Sequence, residues 1–217
     1  MYFELKENRP HGTQKYPFSL YHIYNIHHSF QIPVHWHDEL EIIYVKSGVL
    51  NVNISGENYT GSTGEVFVVS PGNLHFMGSQ TGKVDYYTLL FPLEYVSFQS
   101  NDLLEKEVMA PLKSGKRMIK PQLGAGLSDI CDNLIALEHS DLTLSATQKE
   151  QEIAENTSDN RNNLIIQFEI KSRLLLFFKR VLQSGFILEN NTSGRNTTEK
   201  EMISYIQQNF TRKISLK

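Results

Sequence analysis

The chain has 217 residues, a formal net charge of −3 and one cysteine, Cys131. A length of this order allows one or two domains, and a weakly acidic chain is not a broad nucleic-acid-binding surface. One cysteine excludes an internal disulfide and is typical of a reducing compartment. The charged N-terminus does not resemble a signal peptide, and no apolar run is long enough to span a membrane. We therefore expect a cytoplasmic protein with no membrane partner.

Short segments rich in β-branched and aromatic residues occupy residues 18–92. The clearest are residues 40–45, 49–54, 66–69 and 84–91, and they end at turns that contain glycine or proline. The Ser47-Gly48 pair is expected to end the first of them. Short strands at close, regular spacing predict a barrel or a sandwich.

Apolar residues recur at helical spacing after Pro121, which predicts a helix over residues 123–139. Residues 140–163 are polar and indicate a loop or a frayed helix end. Residues 163–183 predict a second helix with two adjoining apolar stripes. A helix of this kind usually contacts two partners, here the barrel and a second subunit, with complete burial in one subunit as the alternative.

We predict a two-fold homodimer built on one or both helices. The residues expected at its interface are Leu127, Leu134, Leu174, Phe177 and Val181. The second stripe of the longer helix consists of Leu164, Phe168, Leu175, Phe178 and Leu182.

Three histidines and one carboxylate form a set of candidate metal ligands: His35, His37, Glu41 and His75. These residue types suit Zn(II), Ni(II), Mn(II) or Fe(II). In one straight strand His37 and Glu41 would lie about 13 Å apart, because a strand rises about 3.3 Å per residue. The chain must therefore turn near residues 38–39. His35 and His37 then share a face, Glu41 returns on the neighbouring strand, and His75 arrives from a third.

Two motifs carry a family resemblance. The pattern H-x-H-x-x-x-E that begins at His35, with a glycine after six further residues, resembles the first cupin motif. Gly64, followed by a P-G-x-x-H pattern that ends at His75, resembles the second, with one extra residue before the proline. A fuller run, which includes residues 11–12, 16–18 and 33–45, resembles the sensor domain of AraC-type transcription regulators.

The resemblance implies a mainly β fold with α structure, in which a cupin-like double-stranded β-helix barrel precedes a helical dimerisation segment. Residues 1–120 would form the effector-binding barrel with an N-terminal arm, and residues 121–190 the helical segment. Residues 191–217 would form a linker and the start of a helix-turn-helix domain. Thr198 and Glu201 supply a capping box there, and the chain is expected to end just inside that domain.

The function that the resemblance implies is regulatory, not enzymatic. A small polar metabolite, such as a sugar, would bind in the barrel and control DNA binding, and DNA would be contacted only through the C-terminal helix-turn-helix domain. No cofactor is required, although the residues allow a divalent metal (Zn, Ni, Mn or Fe) in the barrel. The alternatives are a metal-dependent cupin enzyme, for example a dioxygenase or isomerase, and a dimerisation module without a ligand.

The candidate ligand-binding residues extend the metal-type set by one residue of the arm and two that flank His75. They are His35, His37, Glu41, His75, His11, Asn73 and Met77. The alternative for the first four is a hydrogen-bonding pocket without a metal. For His11 it is a frayed terminus, and for Asn73 and Met77 it is ordinary loop packing.

Overall fold

The computed structural model describes residues 5–7, 9, 11–25, 28–80, 82–137 and 157–190, together with residues 202, 205 and 209. The strands in this part are β1 (Ser19–Asn25), β2 (Phe30–His35), β3 (Leu40–Ile54), β4 (Glu57–Ser62), β5 (Val66–Val69), β6 (His75–Ser79), β7 (Val84–Phe91), β8 (Arg117–Ile119), β9 (Gln122–Gly124) and β10 (Ile187–Glu189). The α-helices are α1 (Ala110–Lys113), α2 (Ser128–Ile135) and α3 (Thr157–Gln183), and a π-helical turn at Glu105–Met109 leads into α1. The prediction of a mainly β fold followed by a helical segment is confirmed.

Strand β3 belongs to two antiparallel sheets and joins them. Its first half lies between β5 and β7, and the order in this sheet is β1-β7-β3-β5-β9. Its second half pairs with β4 and β6, and β6 pairs in turn with β2. One long strand therefore closes the two sheets into a barrel, with β2 and β6 at the edge where the candidate histidines occur.

The Ser47-Gly48 pair bends β3 but does not end it, so the predicted strand break is wrong. The pairing register with β7 shifts between Val45 and Ser47, and Gly48 has a φ of 87°. A Cβ at Gly48 would lie 2.1 Å from the Lys83 carbonyl oxygen. Glycine thus allows both the left-handed conformation and the close approach that let one strand serve both sheets.

Two hydrophobic cores flank the first sheet. Ile43, Val45 and residues of the second sheet fill the space between the sheets, whereas Leu40 and Ile42 pack towards the helices. Side chains alternate between the faces of a strand. Glu41 therefore shares the inward face of β3 with Ile43 and is directed into the barrel.

The helix predicted over residues 123–139 is shorter in the structure, where it begins later and ends earlier than predicted. Residues 122–124 form β9, which pairs with β5, and Gly124 leaves that strand with a φ of 70°. The α-helix itself is α2, from Ser128 to Ile135. The sheet therefore reaches past residue 120, where the barrel was predicted to end. The second predicted helix is longer than expected, because α3 begins at Thr157.

The five residues predicted at a dimer interface lie inside a single chain. Their exposed fractions are 1% for Leu127, 2% for Leu134 and 0% for Leu174, Phe177 and Val181. All five belong to the core between the barrel and the helices, so their assignment to a partner contact is corrected. Four of the five residues of the neighbouring stripe stay exposed, namely Leu164, Phe168, Leu175 and Leu182. The fifth, Phe178, is buried in the same core.

The predicted linker and helix-turn-helix start over residues 191–217 lie outside the described residues, except for residues 202, 205 and 209. Among the helices that the structure does describe, none combines the length and the apolar composition needed to cross a bilayer.

Candidate metal and effector site

Three chain segments bring the histidines together at one end of the barrel. β2 ends at His35, β6 begins at His75, and these two residues are directly paired across the strands. His37 lies in the connection between β2 and β3, where its carbonyl accepts a 2.8 Å hydrogen bond from the Gly72 amide. The turn predicted near residues 38–39 is present, and Glu41 returns on β3 as expected.

Each of the three rings is anchored through its Nδ1 atom to a backbone carbonyl. The Nδ1–oxygen distances are 2.8 Å for His35 and the Pro33 carbonyl, 3.1 Å for His37 and the Glu39 carbonyl, and 2.9 Å for His75 and the Asn73 carbonyl. A carbonyl oxygen only accepts, so each Nδ1 carries the proton and each neutral ring presents a lone pair at Nε2. Backbone anchoring of this kind orients metal-binding histidines. One nitrogen from each ring lies within 4.8 Å of one from each of the others.

The Glu41 carboxylate lies against two of these rings. Its Oε2 atom is 3.4 Å from His37 Nε2 and 3.0 Å from His75 Nε2. The second pair is close but not aligned for a hydrogen bond, so within the described part of the chain His75 Nε2 has no hydrogen-bond partner. Glu41 is 3% and His75 1% exposed. The structure therefore buries a carboxylate and ring nitrogens side by side.

The pKa values of Glu41 and the histidines are shifted by their burial and by one another. Burial alone raises the pKa of Glu41, but the two adjacent histidines outweigh burial and hold that pKa well below its usual value. Burial alone lowers the pKa of His37, but the hydrogen bond to Glu41 and its charge outweigh it, so that pKa is raised. The pKa of His35 is lowered, first by burial and then by His75. An ionised carboxylate facing ring lone pairs requires a proton or a metal cation between them, and the nitrogens of the three histidines lie close enough to one another to hold a divalent metal.

The N-terminal arm lies over this end of the barrel. Lys6 pairs with Trp36 in a parallel bridge, with hydrogen bonds of 2.9 Å from the Glu7 amide to the Trp36 carbonyl and from the Trp36 amide to the Leu5 carbonyl. His11 is 8% exposed, and its ring centroid is 5.6 Å from that of His37. The described part of the arm is thus packed against the site, in contrast to the frayed-terminus alternative.

The other two candidate ligand-binding residues support the site in different ways. Met77 is 2% exposed and belongs to the core between the sheets, two residues after His75 on the same face of β6. Asn73 is 7% exposed and orients His75 through its carbonyl oxygen. Their contact with a ligand stays a prediction. His22, by contrast, stacks on Tyr87, and 4.2 Å separate the two ring centroids.

Three residues at the site were not among the sequence candidates: Glu7, Tyr21 and Tyr86. The Tyr21 hydroxyl lies 3.1 Å from His11 Nδ1. Tyr86 is fully buried in the barrel, and burial, followed by the charge of Glu41, raises the pKa of its hydroxyl. That hydroxyl has no hydrogen-bond partner among the described residues. Alternation along β7 places Tyr86 inward and was the available signal, whereas nothing local to Glu7 marked it.

Two surface cavities lie away from the histidines. One of about 590 Å³ is bordered by residues of the 97–102 loop. The other, of about 360 Å³, lies beside residues 120–124. Neither lining contains a histidine or a cysteine.

Comparison with known sequences identifies the family. Residues 17–146 match the family described as the AraC-like ligand binding domain. The chain belongs to this family. It is also 25% identical over 217 residues to the uncharacterized HTH-type transcriptional regulator YdeC of Bacillus subtilis (strain 168), covering 98% of this chain and 68% of that protein. The resemblance to AraC-type regulators is therefore confirmed.

Two solved structures are similar to part of this chain at low identity. The Cnp3 cupin domain of Schizosaccharomyces pombe is 15% identical with a TM-score of 0.34, covering 37% of this chain and 59% of that chain. The match thus spans less than two thirds of the Cnp3 chain. KdgF from Halomonas sp. is 21% identical with a TM-score of 0.33, covering 35% of this chain and 70% of that chain.

Proposed function

We propose that this chain is the effector-sensing portion of a cytoplasmic AraC-type transcription regulator. A small polar metabolite binds at the histidine end of the barrel and controls DNA binding by a C-terminal helix-turn-helix domain. The observation that carries the proposal is the convergence of His35, His37, His75 and Glu41, all held inside the barrel of a ligand-binding family.

The polarity of the site selects the ligand. The Nε2 atom of His11 and the hydroxyl of Tyr86 are buried without hydrogen-bond partners among the described residues. Leaving such groups unpaired costs about 1–3 kcal/mol each, and an apolar ligand would leave them so. A sugar or a sugar acid supplies both donors and acceptors, and its binding would remove this penalty.

A divalent cation is part of the proposal. The ion would be Zn(II), Ni(II), Mn(II) or Fe(II), and its ligands would be His35, His37, His75 and Glu41. The anchored Nδ1 atoms of the three histidines direct the opposite ring nitrogens towards the ion. When bound, the cation supplies positive charge that attracts oxygen atoms of the effector. It would also balance the buried charge of Glu41.

Dimerisation is proposed along the exposed stripe of α3. Leu164, Phe168, Leu175 and Leu182 follow one another at steps of four, seven and seven residues, and their exposed fractions are 52%, 78%, 40% and 49%. A seven-residue apolar repeat keeps one seam of a helix facing a partner helix. A second copy of this chain would cover the stripe. Effector binding would change the arrangement of the two subunits, with a coupling free energy of about 1–3 kcal/mol between the effector site and DNA binding.

Thermal shift measurements on the full chain test the site. Zn(II), Ni(II) and Mn(II) are added first, followed by sugars and sugar acids, to the wild type, to Glu41→Ala and to His37→Ala. A ligand at about one hundred times its Kd adds about 2.7 kcal/mol of stability, or about 2–4 °C in Tm for a domain of this size. The matched control is His22→Ala, which removes a histidine that stacks on Tyr87 and is not one of the three clustered histidines.

We expect shifts that survive in His22→Ala and disappear in both site variants, with elemental analysis showing one metal per chain. Shifts that persist in Glu41→Ala and His37→Ala would place the ligand elsewhere and refute the proposed site. Turnover of an organic acid or consumption of oxygen by the metal-loaded protein would favour the cupin enzyme instead.

A further inference from the structure

Strands β8 and β10 form a separate two-stranded ribbon, which has one face in the core and one face towards solvent. Ile119 on the inner face is fully buried, and Ile187, its partner across the ribbon, packs against the same core. Because side chains alternate along a strand, the next cross-strand pair, Met118 and Leu188, lies on the opposite face. Leu188 is 42% exposed, so this apolar pair is accessible from solvent.

Two lysines flank the apolar pair. The ladder continues beyond both strands, with hydrogen bonds of 2.8 Å from the Lys120 amide to the Phe186 carbonyl and 2.9 Å from the Asn190 amide to the Lys116 carbonyl. The alternation therefore places Lys116 and Lys120 on the outer side of the ribbon, where both are exposed. The Lys120 ammonium lies 5.5 Å from the centroid of the Phe186 ring, which keeps its charge over the ribbon. We name this outer surface the ribbon face, and it consists of Lys116, Met118, Lys120 and Leu188.

The chain leaves the sensor domain at the edge of the ribbon face. The Asn190 side chain donates a 2.9 Å hydrogen bond to the Gly115 carbonyl, in addition to the amide bond to Lys116, so this position is fixed. Residues 191–197 then precede the helix that the capping box predicts from Thr198. At about 3.3–3.6 Å per residue these residues span at most about 25 Å. The predicted helix therefore begins within reach of the ribbon face.

The predicted helix has a face with complementary properties. Met202, Tyr205 and Asn209 are helical and follow one another at steps of three and four residues, so they share one side. Met202 and Tyr205 are 55% and 58% exposed. Glu199 lies three residues before Met202 and is expected on the same side, whereas Lys200, two residues before it, is not. This side therefore combines apolar side chains with a negative charge.

We propose that the ribbon face is the docking site for the first helix of the helix-turn-helix domain, residues 198–210, which binds through Met202 and Tyr205. The inference rests on the proposed function, which identifies that helix, and it names the surface of the sensor that holds the DNA-binding domain. A short linker gives an effective concentration in the millimolar range, so a contact with a Kd of about 1 mM is enough for a tethered helix. A face with two apolar side chains suits this tethered occupant, since a free partner would need a larger interface.

Amide hydrogen exchange in residues 198–210 of the full chain, followed by mass spectrometry, tests the docking. The variants are Leu188→Asp on the ribbon face and the matched control Val49→Asp, whose valine is 39% exposed on β3, a strand of the barrel. An isolated helix of about 13 residues is marginal in water, so slow exchange in this segment requires a packing partner. EDTA is present and no effector is added, and circular dichroism checks that each variant is folded.

We expect exchange in residues 198–210 to be about tenfold faster in Leu188→Asp than in wild type or Val49→Asp, because loss of docking opens the helix. Equal rates in wild type and Leu188→Asp, or equal acceleration in Val49→Asp, would overturn the docking. Slow exchange that is lost on dilution would assign the ribbon face to a second copy of the chain and would overturn it as well.

A charge exchange tests the same contact without altering the apolar pair. The double variant Lys116→Glu/Lys120→Glu should accelerate exchange in residues 198–210, and Glu199→Lys added to it should restore slow exchange, which a general loss of stability would not allow. Unchanged exchange in the double variant, or no recovery in the triple variant, would refute the charge complementarity on which the docking rests. Because metal and effector are absent, a negative result leaves the barrel site and its ligand screen unaffected.

Discussion

Replacing Phe168 with aspartate should separate the subunits of the proposed dimer without unfolding either. Phe168 is 78% exposed on α3, and burial of a whole phenylalanine side chain contributes about 1.5–3 kcal/mol. Covering the exposed part therefore contributes roughly 1–2 kcal/mol per subunit, or about 2–4 kcal/mol per dimer, because a two-fold interface uses the residue twice. The dimer Kd should rise by about 30- to 700-fold, and a charge placed in the apolar seam would add to this.

The matched control is Phe177→Asp on the same helix. Phe177 is fully buried in the core between α3 and the barrel, and loss of a buried phenylalanine costs about 3–5 kcal/mol. This variant should lose its folded circular dichroism signal, whereas Phe168→Asp should keep it. Analytical ultracentrifugation over a wide concentration range gives the two Kd values.

A wild-type chain that sediments as a monomer at high concentration would refute the dimer. A Phe168→Asp variant that still dimerises with unchanged Kd would refute the stripe as its interface. A folded, monomeric Phe177→Asp variant would restore the interface that was first inferred from the sequence.

Three further outcomes are expected. Gly61→Ala should lower stability by about 1–3 kcal/mol, because its Cβ would lie 2.4 Å from the buried Phe67 ring, whereas Gly126→Ala, with no atom within 4 Å among the described residues, should change the urea midpoint little. The hydrogen bond from Lys113 lowers the pKa of Glu105 below its ordinary value of 4.5. The stability that this carboxylate contributes is therefore present above about pH 4.5, and it is lost as the pH falls through the lower pKa of the folded state. Urea midpoints should accordingly fall more steeply with acid in wild type than in Glu105→Gln. Burial raises the pKa of the Cys131 thiol to about 12, so iodoacetamide at pH 8 should label it only after unfolding, and labelling of the native protein would contradict its burial.

The convergence of the metal-type residues could be predicted from local spacing. His37 and Glu41 are four residues apart, which in a straight strand exceeds the reach of a common ligand, so a turn between them was required. The period of two along β3 then directs Glu41 inward, and His75 follows a proline-glycine turn on another strand. These are local geometric constraints, and they hold wherever the rest of the chain packs.

Other features depended on contacts distant in sequence. Both stripes of α3 are apolar, and only the position of the barrel decided that Phe177 is buried while Phe168 is exposed. Gly48 bends β3 instead of ending it because Lys83 approaches from another strand. Glu7 reaches the histidines through pairing of the arm with Trp36, 29 residues further along the chain. Sequence periodicity thus determined which side chains face the same way, and tertiary packing alone decided what each face meets, because burial depends on neighbours that no local pattern encodes.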